Sequence, residues 1–355
     1  MNNFEIEPDI RVAETLSSDF YTDDGYFEES KRRIFARTWQ VVGLESEVNN
    51  LMPHMLLEGF LDEPILITRD TDENLHCFSN TCTHRGNILV QNECRRDGIR
   101  CGYHGRRFSL DGKFLSMPEF EAAKNFPSER DDLRSVSFKT WKDFVFASLD
   151  PRDPFEEFIV ETGSRTAEYD FERHELVERK HYLVKAHWAL YCENFLEGFH
   201  IPYVHKSLNE VLDYGRYSTE LFRYSSLQTG YDDDGDTSAQ YFFVFPNLMY
   251  NFYPWGLSVN IVKPIKSNLT KVEYMTFVLD RSKLDQGAGA NLEKVELEDQ
   301  AVAESVQRGI NSRFYKRGRY SPTREKGVHH FHRLISEFMD ESNEQSRNVR
   351  HKKPN

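Results

Sequence analysis

At 355 residues, with 39% hydrophobic, 14% aromatic and 29% charged side chains, the chain has the make-up of a folded protein of one large or two smaller domains, which excludes a small stapled scaffold. No run of eighteen apolar residues could span a bilayer, so no membrane partner is expected. Acidic residues outnumber basic ones by 58 to 45, a formal charge of −13, which argues against a protein built to cover nucleic acid phosphates. The opening stretch, Met1 to Leu16, carries Glu5, Glu7, Asp9 and Glu14 and no apolar h-region. It resembles neither a secretory nor a transit peptide, and a cytoplasmic address is expected.

Along the chain, Phe27, Ile34 and Phe35 set among charged residues predict one amphipathic helix over Tyr21 to Arg37, giving an N-terminal helical segment at residues 1–37. After Trp39 the texture changes to short apolar runs (Pro64 to Thr68, Ile88 to Val90, Phe144 to Ala147) broken by Asp, Asn and Gly, which predicts a small antiparallel β domain over 38–150. Asp150-Pro151-Arg152-Asp153-Pro154 reads as a linker. The stretch 151–341 follows with a helical pattern from Trp188 to His200, strands within Tyr241–Tyr253, Leu257–Val262 and Lys271–Leu279, and helices over Lys294–Lys316 and Gly327–Glu337. This order predicts an α+β fold with helices packed on an antiparallel sheet. The polar stretch 342–355 is expected to be a disordered tail.

Within the β domain the chain reads Cys82-Thr83-His84, sixteen residues, then Cys101-Gly102-Tyr103-His104. Two Cys and two His suit a tetrahedral zinc. The grouping, however, is one thiolate and one imidazole from each of two loops. A [2Fe-2S] cluster with two thiolates on one iron and two imidazoles on the other requires that supply. Cys77, Cys94 and Cys192 lie outside the pattern and read as small buried apolar residues.

The second constellation runs from Glu193 to His205. On a helix Asn194, Glu197 and His200 step by three and share one face. Pro202 disfavours helical geometry at Ile201 and removes a donor, so a break there would swing His205 back beside His200, and two imidazoles could hold one metal. A third ligand must come from the C-terminal half, where spacing leaves Glu293, Glu296, Glu298, Asp299 and Glu304 open.

Cys-x-His, sixteen residues, Cys-x-x-His and Gly105, followed by the two histidines, resembles the α subunits of Rieske non-haem iron oxygenases over nearly the whole chain. Asn194-Phe195-Leu196, Pro202-Tyr203-Val204-His205-Lys206, Tyr217 to Phe222, Gly318-Arg319-Tyr320 and His329 to His332 are similar to the branch that oxidises quaternary ammonium compounds such as choline. The resemblance implies a helix-grip catalytic domain and a cluster on Cys82, His84, Cys101 and His104. It implies a mononuclear Fe(II) on His200, His205 and Asp299, the last chosen because Glu298-Asp299 ahead of Glu304 to Gly309 looks like the family's ligand helix. Glu197, where many members carry Asp, falls at the carboxylate that bridges the iron site to a Rieske histidine of a neighbouring subunit, with Asn194 beside it as a further catalytic candidate. A homotrimer is implied with it.

No dinucleotide or flavin fingerprint is present, Gly287-Ala288-Gly289 following no strand of a βαβ unit. A separate NAD(P)H-dependent reductase or a ferredoxin is therefore expected to supply electrons, with O2 and a small molecule as substrates. Tyr250, Phe252, Tyr253 and Trp255 could cage a trimethylammonium group, although alternating strand aromatics also suit a core. The competing readings are an aromatic-ring hydroxylating oxygenase and, in a different class, a Rieske electron-transfer protein without catalytic iron. Asp232 to Asp236 lacks the glutamate of a calcium loop and reads as a hairpin tip.

Overall fold

A computed structural model describes residues 4–167, 169–284, 289 and 292–340, so the expected tail 342–355 and residues 287–288 lie outside the described residues. The chain divides into two compact units, Ala36–Arg152 and Met1–Phe35 with Asp153–Asn355. Among the described residues no helix is long and apolar enough to cross a membrane.

The N-terminal stretch departs from the single helix expected. It forms α1 (Ser18–Thr22) and α2 (Asp24–Arg33), because Asp23 leaves helical geometry and its carboxylate caps the second helix, accepting the Gly25 amide at 2.7 Å and the Tyr26 amide at 3.4 Å.

The unit Ala36–Arg152 holds β1 (Gln40–Leu44), β2 (Leu51–Leu56), β3 (Glu63–Arg69), β4 (Leu75–Ser79), β5 (Ile99–Arg100), β6 (Arg107–Phe108), β7 (Phe114–Ser116), β8 (Ser137–Trp141) and β9 (Phe144–Ser148). They pair antiparallel in three small sheets, ordered β1-β9-β8, β2-β3-β4 and β5-β6-β7. Ile88 to Val90, expected as a strand, makes only an isolated antiparallel bridge, from Ile88 to Thr81. Its apolar character serves a different end, since Leu89 and Val90 join Leu66, Phe78, Ile99 and Phe108 in a core that also contains Cys82 and Cys101.

In the other unit come α3 (Phe155–Arg165), β10 (Glu175–Val184), α4 (Trp188–Phe195), α5 (Ile201–Val204), α6 (Lys206–Asn209), β11 (Ser218–Leu221), β12 (Ser225–Tyr231), β13 (Thr237–Val244), β14 (Leu248–Tyr253), β15 (Gly256–Lys266), β16 (Leu269–Val278), α7 (Leu292–Ile310) and α8 (Lys326–Met339). The strands form one antiparallel sheet ordered β10-β16-β15-β14-β13-β12-β11. Asp232–Asp236 is the tip of the β12–β13 hairpin, closed by the Asp232 amide on the Asp236 carbonyl at 3.0 Å.

Helix α4 is the element that delivers the site. Trp188, Ala189, Leu190, Tyr191 and Cys192 are all buried, so it is apolar on every side and can exist only inside the fold, packed on β15, α7 and α8. Its start is tied to α7 by the His187 amide donating to Gln307 Oε1 at 2.7 Å. It stops at Phe195, whose carbonyl accepts from Gln228 Nε2 at 2.7 Å.

At that end Gly327, in the first turn of α8, lies so close to Leu196 that an added Cβ would collide with its carbonyl oxygen. Gly327→Ala should therefore destabilise the protein by about 1–3 kcal/mol, read as a lower Tm. Gly309→Ala, on open helix surface of α7, should leave Tm unchanged or raise it.

Candidate metal centres

In the β unit the two Cys–His segments fold as near copies of one another. The Cys82 amide donates to the Asn87 carbonyl at 2.8 Å and the Gly86 amide returns to the Cys82 carbonyl at 3.0 Å; the same two bonds recur as Cys101 to Arg106 at 2.8 Å and Gly105 to Cys101 at 3.1 Å. Each loop closes through a glycine with positive φ, +71° at Gly86 and +75° at Gly105, a conformation that an L side chain would strain. The imidazole rings of His84 and His104 face one another edge-on with centroids 5.0 Å apart.

Both sulfurs sit in the apolar core, which pushes the Cys82 thiol up. Burial acts on Cys101 in the same sense, but the amides of Tyr103 and His104 pointing at its sulfur bring that thiol below its ordinary value. Amides of His84 and Arg85 point at Cys82 in the same way. Burial and the neighbouring positive groups hold His84 down, so it presents a neutral ring.

A residue outside both loops helps tie them together. The Asp131 carbonyl accepts from Thr83 Oγ1 at 2.8 Å on one loop and from Arg106 at 3.1 Å on the other, while its carboxylate pairs with the buried Arg106 guanidinium at 2.7 Å.

The donors fit a two-iron cluster. Four ligands on one zinc would lie within about 4 Å of each other. Among the described residues only His200, His205 and Asp299 bring three donor atoms within 4.8 Å of one another, so the Cys–His loops are too spread for one ion. His104 Nδ1 is buried without a hydrogen-bond partner, as an atom awaiting a metal bond would be.

The second set of donors departs locally from the expected helix. Since α4 ends at Phe195, Glu197 and His200 lie in the turn after it, where Glu197 Oε2 accepts the amides of Phe199 and of His200, the latter at 3.1 Å. Pro202 does not break the chain but sits in the first turn of α5, where its missing donor costs nothing. The break falls at His205 itself, between α5 and α6 (φ −106°, ψ 74°).

His200 Nε2 and His205 Nε2 are 3.1 Å apart, His205 Nε2 lies 2.9 Å from Asp299 Oδ1, and His200 Nε2 lies 3.5 Å from the same oxygen. Three ligands on one face of an octahedron, each about 2.1 Å from a metal, would be separated by about 3 Å. The donor set suits iron(II) with open positions opposite.

Each imidazole is held from behind. His200 Nδ1 pairs with Glu197 Oε1 at 2.7 Å and His205 Nδ1 with Glu298 Oε2 at 2.8 Å, which places the ring proton on Nδ1 and leaves Nε2 for a metal. Burial pushes His205 down, yet its contacts with Asp299 and Glu298 outweigh that and raise it, so the pocket favours a positive charge. Of the five candidate acids only Asp299 joins the donor set. Glu298 supports His205, a role the sequence reading missed although the two acids are adjacent on α7.

A cavity of about 90 Å³ opens beside these donors, with Asn194, Glu197 and Glu296 in its lining. Its rings are Tyr191, Phe195, Tyr217, Tyr241 and Tyr253. Only Tyr253 of the expected cage takes part. Trp255 stacks behind it at 5.1 Å, and Tyr250 and Phe252, pointing to the other face of β14, are buried away from the cavity. Tyr191 comes from α4, Tyr217 precedes β11 and Tyr241 lies on β13, and no sequence period links them.

A model of the Rieske [2Fe-2S] domain matches residues 38–127, and one of the ring hydroxylating alpha subunit (catalytic domain) matches 217–341. Chloroplastic choline monooxygenase of Arabidopsis thaliana is 31% identical over 93% of this chain and 85% of its own length. The carnitine monooxygenase oxygenase subunit of Escherichia coli (strain K12) is 28% identical over 95% and 96%. In fold the chain matches the quaternary ammonium Rieske monooxygenase CntA in complex with L-carnitine (TM-score 0.76, 24% identity, 94% of this chain and 97% of that one). It also matches naphthalene 1,2-dioxygenase with indole bound (TM-score 0.72, 18% identity, 96% and 95%).

Fold and donors together define an iron-dependent oxidoreductase that works on O2. The chain belongs to the Rieske non-haem iron oxygenases, as an α subunit with a [2Fe-2S] cluster and a mononuclear iron.

Two predictions follow from the donor geometry. Cys101→Ala should abolish the visible absorption of the cluster while Cys94→Ala, half-buried and outside the loops, keeps it. Loaded protein should hold about three irons per chain; His200→Ala should lose about one and leave the cluster spectrum intact, and Glu298→Gln should retain that iron about 10–100-fold more weakly, measured by metal analysis after dialysis.

Proposed function

We propose that the chain is the terminal oxygenase of a multicomponent system, that Cys82, His84, Cys101 and His104 hold its cluster, and that His200, His205 and Asp299 hold its iron, where a small quaternary ammonium compound such as choline is hydroxylated. The observation that carries the substrate class is the cavity: five aromatic rings beside the three converging donors, in a relative of choline and carnitine monooxygenases. Tyr241 and Tyr253 stand nearly perpendicular, 79° apart with centroids at 6.1 Å, and Phe195 is edge-on to Tyr241 at 6.3 Å. Ring faces at several angles suit a trimethylammonium group, whose charge is spread over a near-spherical surface.

When bound, the cluster supplies single electrons and the iron activates O2. The chain's own residues do the rest. Glu197 and Glu298 orient the imidazoles, the rings exclude water, and Asn194 offers a neutral hydrogen-bonding group in the cavity wall. Burial keeps the tyrosine hydroxyls of Tyr191, Tyr241 and Tyr253 protonated, so the rings add no negative charge of their own.

A homotrimeric ring belongs to the same reading, with Glu197 of one subunit accepting from His104 of the next. Glu197 uses one oxygen on His200 and the other on backbone amides, which leaves lone pairs for a further donor. Each half of such a junction carries large exposed rings: Tyr103, 56% exposed, stacks on His104 at 3.7 Å, and Tyr203, 77% exposed, lies with Phe199 next to His200. Electrons are drawn from a separate reductase or ferredoxin.

Reduced protein mixed once with O2 and a panel of quaternary amines and aromatic acids should release a hydroxylated quaternary amine; product from aromatic acids alone would make it a ring hydroxylase. Glu197→Gln should keep the cluster, weaken iron to about the extent that Glu298→Gln does and, in protein reloaded with iron, slow cluster reoxidation by orders of magnitude. Mixed rings of Cys101→Ala and His200→Ala subunits should regain activity, since some junctions then hold both centres intact, and absence of rescue in verified mixed rings would refute transfer between subunits.

A further inference from the structure

Glu296 lies on α7 three residues ahead of Asp299 and lines the same cavity. It is only 8% exposed, and its Oε2 makes an ion pair but no well-aligned hydrogen bond. The ammonium of Lys180 on β10 stands 3.4 Å from that oxygen and also 3.9 Å from Glu178. Lys180 does not line the cavity, and its charge is partly solvated and shared between two carboxylates. The cavity wall itself carries Glu197, Glu296 and Asp299 and, among the described residues, neither Lys nor Arg.

A buried carboxylate ordinarily satisfies its oxygens with N–H or O–H donors. A quaternary ammonium ion has none to give. Its charge attracts a carboxylate without a directional bond, and its methyl groups lie against ring faces, here those of Tyr191 and Tyr253, both close enough to feel the Glu296 charge. Burial raises Glu296 to about 7 even with Lys180 alongside, so its anion is incompletely compensated within the chain. Apart from the imidazoles of His200 and His205, the polar remainder of the wall is neutral: Asn251 Nδ2 and Ser258 Oγ each donate to Asn260 Oδ1 at 3.2 Å. Neutral groups of this kind can meet a hydroxyl, whereas a substrate carboxylate would find no Lys or Arg in the wall and two imidazoles already committed to the metal site.

We propose that Glu296 is the specificity-determining counter-charge for the substrate's quaternary ammonium group, and that the cavity selects hydroxylated cations of the choline type over zwitterions such as carnitine. The assignment rests on the quaternary ammonium reading above.

Calorimetric titration of metal-loaded protein without oxygen tests it, using choline, its uncharged isostere 3,3-dimethylbutan-1-ol, and L-carnitine. Wild-type protein should bind choline about tenfold or more tightly than either of the others. Glu296→Gln should weaken choline about tenfold while leaving the isostere within about twofold, and Glu296→Asp should keep the preference for the cation. Equal weakening of choline and isostere, unchanged choline binding in Glu296→Gln, or tighter binding of carnitine than choline by wild type would overturn the assignment while the quaternary ammonium reading stands. Wild-type protein that binds no quaternary amine would remove that reading and this assignment together. Unchanged iron content and cluster absorption in each variant would show that folding is not what the titrations report.

Discussion

Two imidazole nitrogens and a carboxylate oxygen held within 3.5 Å of each other in a buried pocket form an arrangement that a cation must complete, and much of the larger unit is organised to hold it. His205 is fully buried, so its ring can neither swing away nor find water. Glu197 and Glu298 grip the outer nitrogens, with the result that the inner ones converge before any metal arrives. Such pre-organisation concentrates negative charge where water is scarce, a cost that metal binding offsets. The rise of His205 against the pull of its own burial is the same tension in protonic form.

In the β unit a similar problem has a different solution. Two sulfurs enclosed by Leu66, Phe78, Leu89 and Phe108 are desolvated, and any thiolate charge on them must be stabilised without water. Backbone amides do this, aimed at the sulfurs by the tight loops that Gly86 and Gly105 permit. Asp131 joins one loop to the other through Thr83 and Arg106, and Asn87 Nδ2 of the first loop reaches Cys101 Sγ of the second at 3.7 Å, so the spacing between the two pairs follows from these links and not from either loop alone.

Overall charge has little bearing on what the cavity recognises. The chain is acidic overall, at −13, yet most of its carboxylates face water and are screened. Glu296 differs because it is enclosed, and its field acts across a few ångströms of low-dielectric wall lined by rings. That distinction is one of position on a folded helix. On the linear chain Glu293, Glu296, Glu298, Asp299 and Glu304 are equivalent acids of one amphipathic segment, and the fold brings Asp299 to the two imidazoles, Glu298 to the back of His205 and Glu296 to the cavity.

What could be read in the chain by itself was whatever short-range chemistry requires: the Cys–His pairs with glycine after each, because both donors of a loop lie within four residues, and the His200–His205 pair, because five residues of turn suffice to bring two rings together. The α+β order and the hairpin at Asp232–Asp236 were legible for the same reason, since period and turn chemistry are local. Where local signals competed, tertiary contacts decided. Asp23 divided an apparently continuous helix by capping, Gln228 took the Phe195 carbonyl and ended α4 ahead of Glu197, and Pro202 began a short helix where its missing donor had predicted a break. The walls of the cavity lay furthest from view. Tyr191, Tyr217, Tyr241 and Tyr253 come from a helix, a loop and two strands of the sheet, and side chains separated by dozens of residues become neighbours only when the strands pair and the helices cover them.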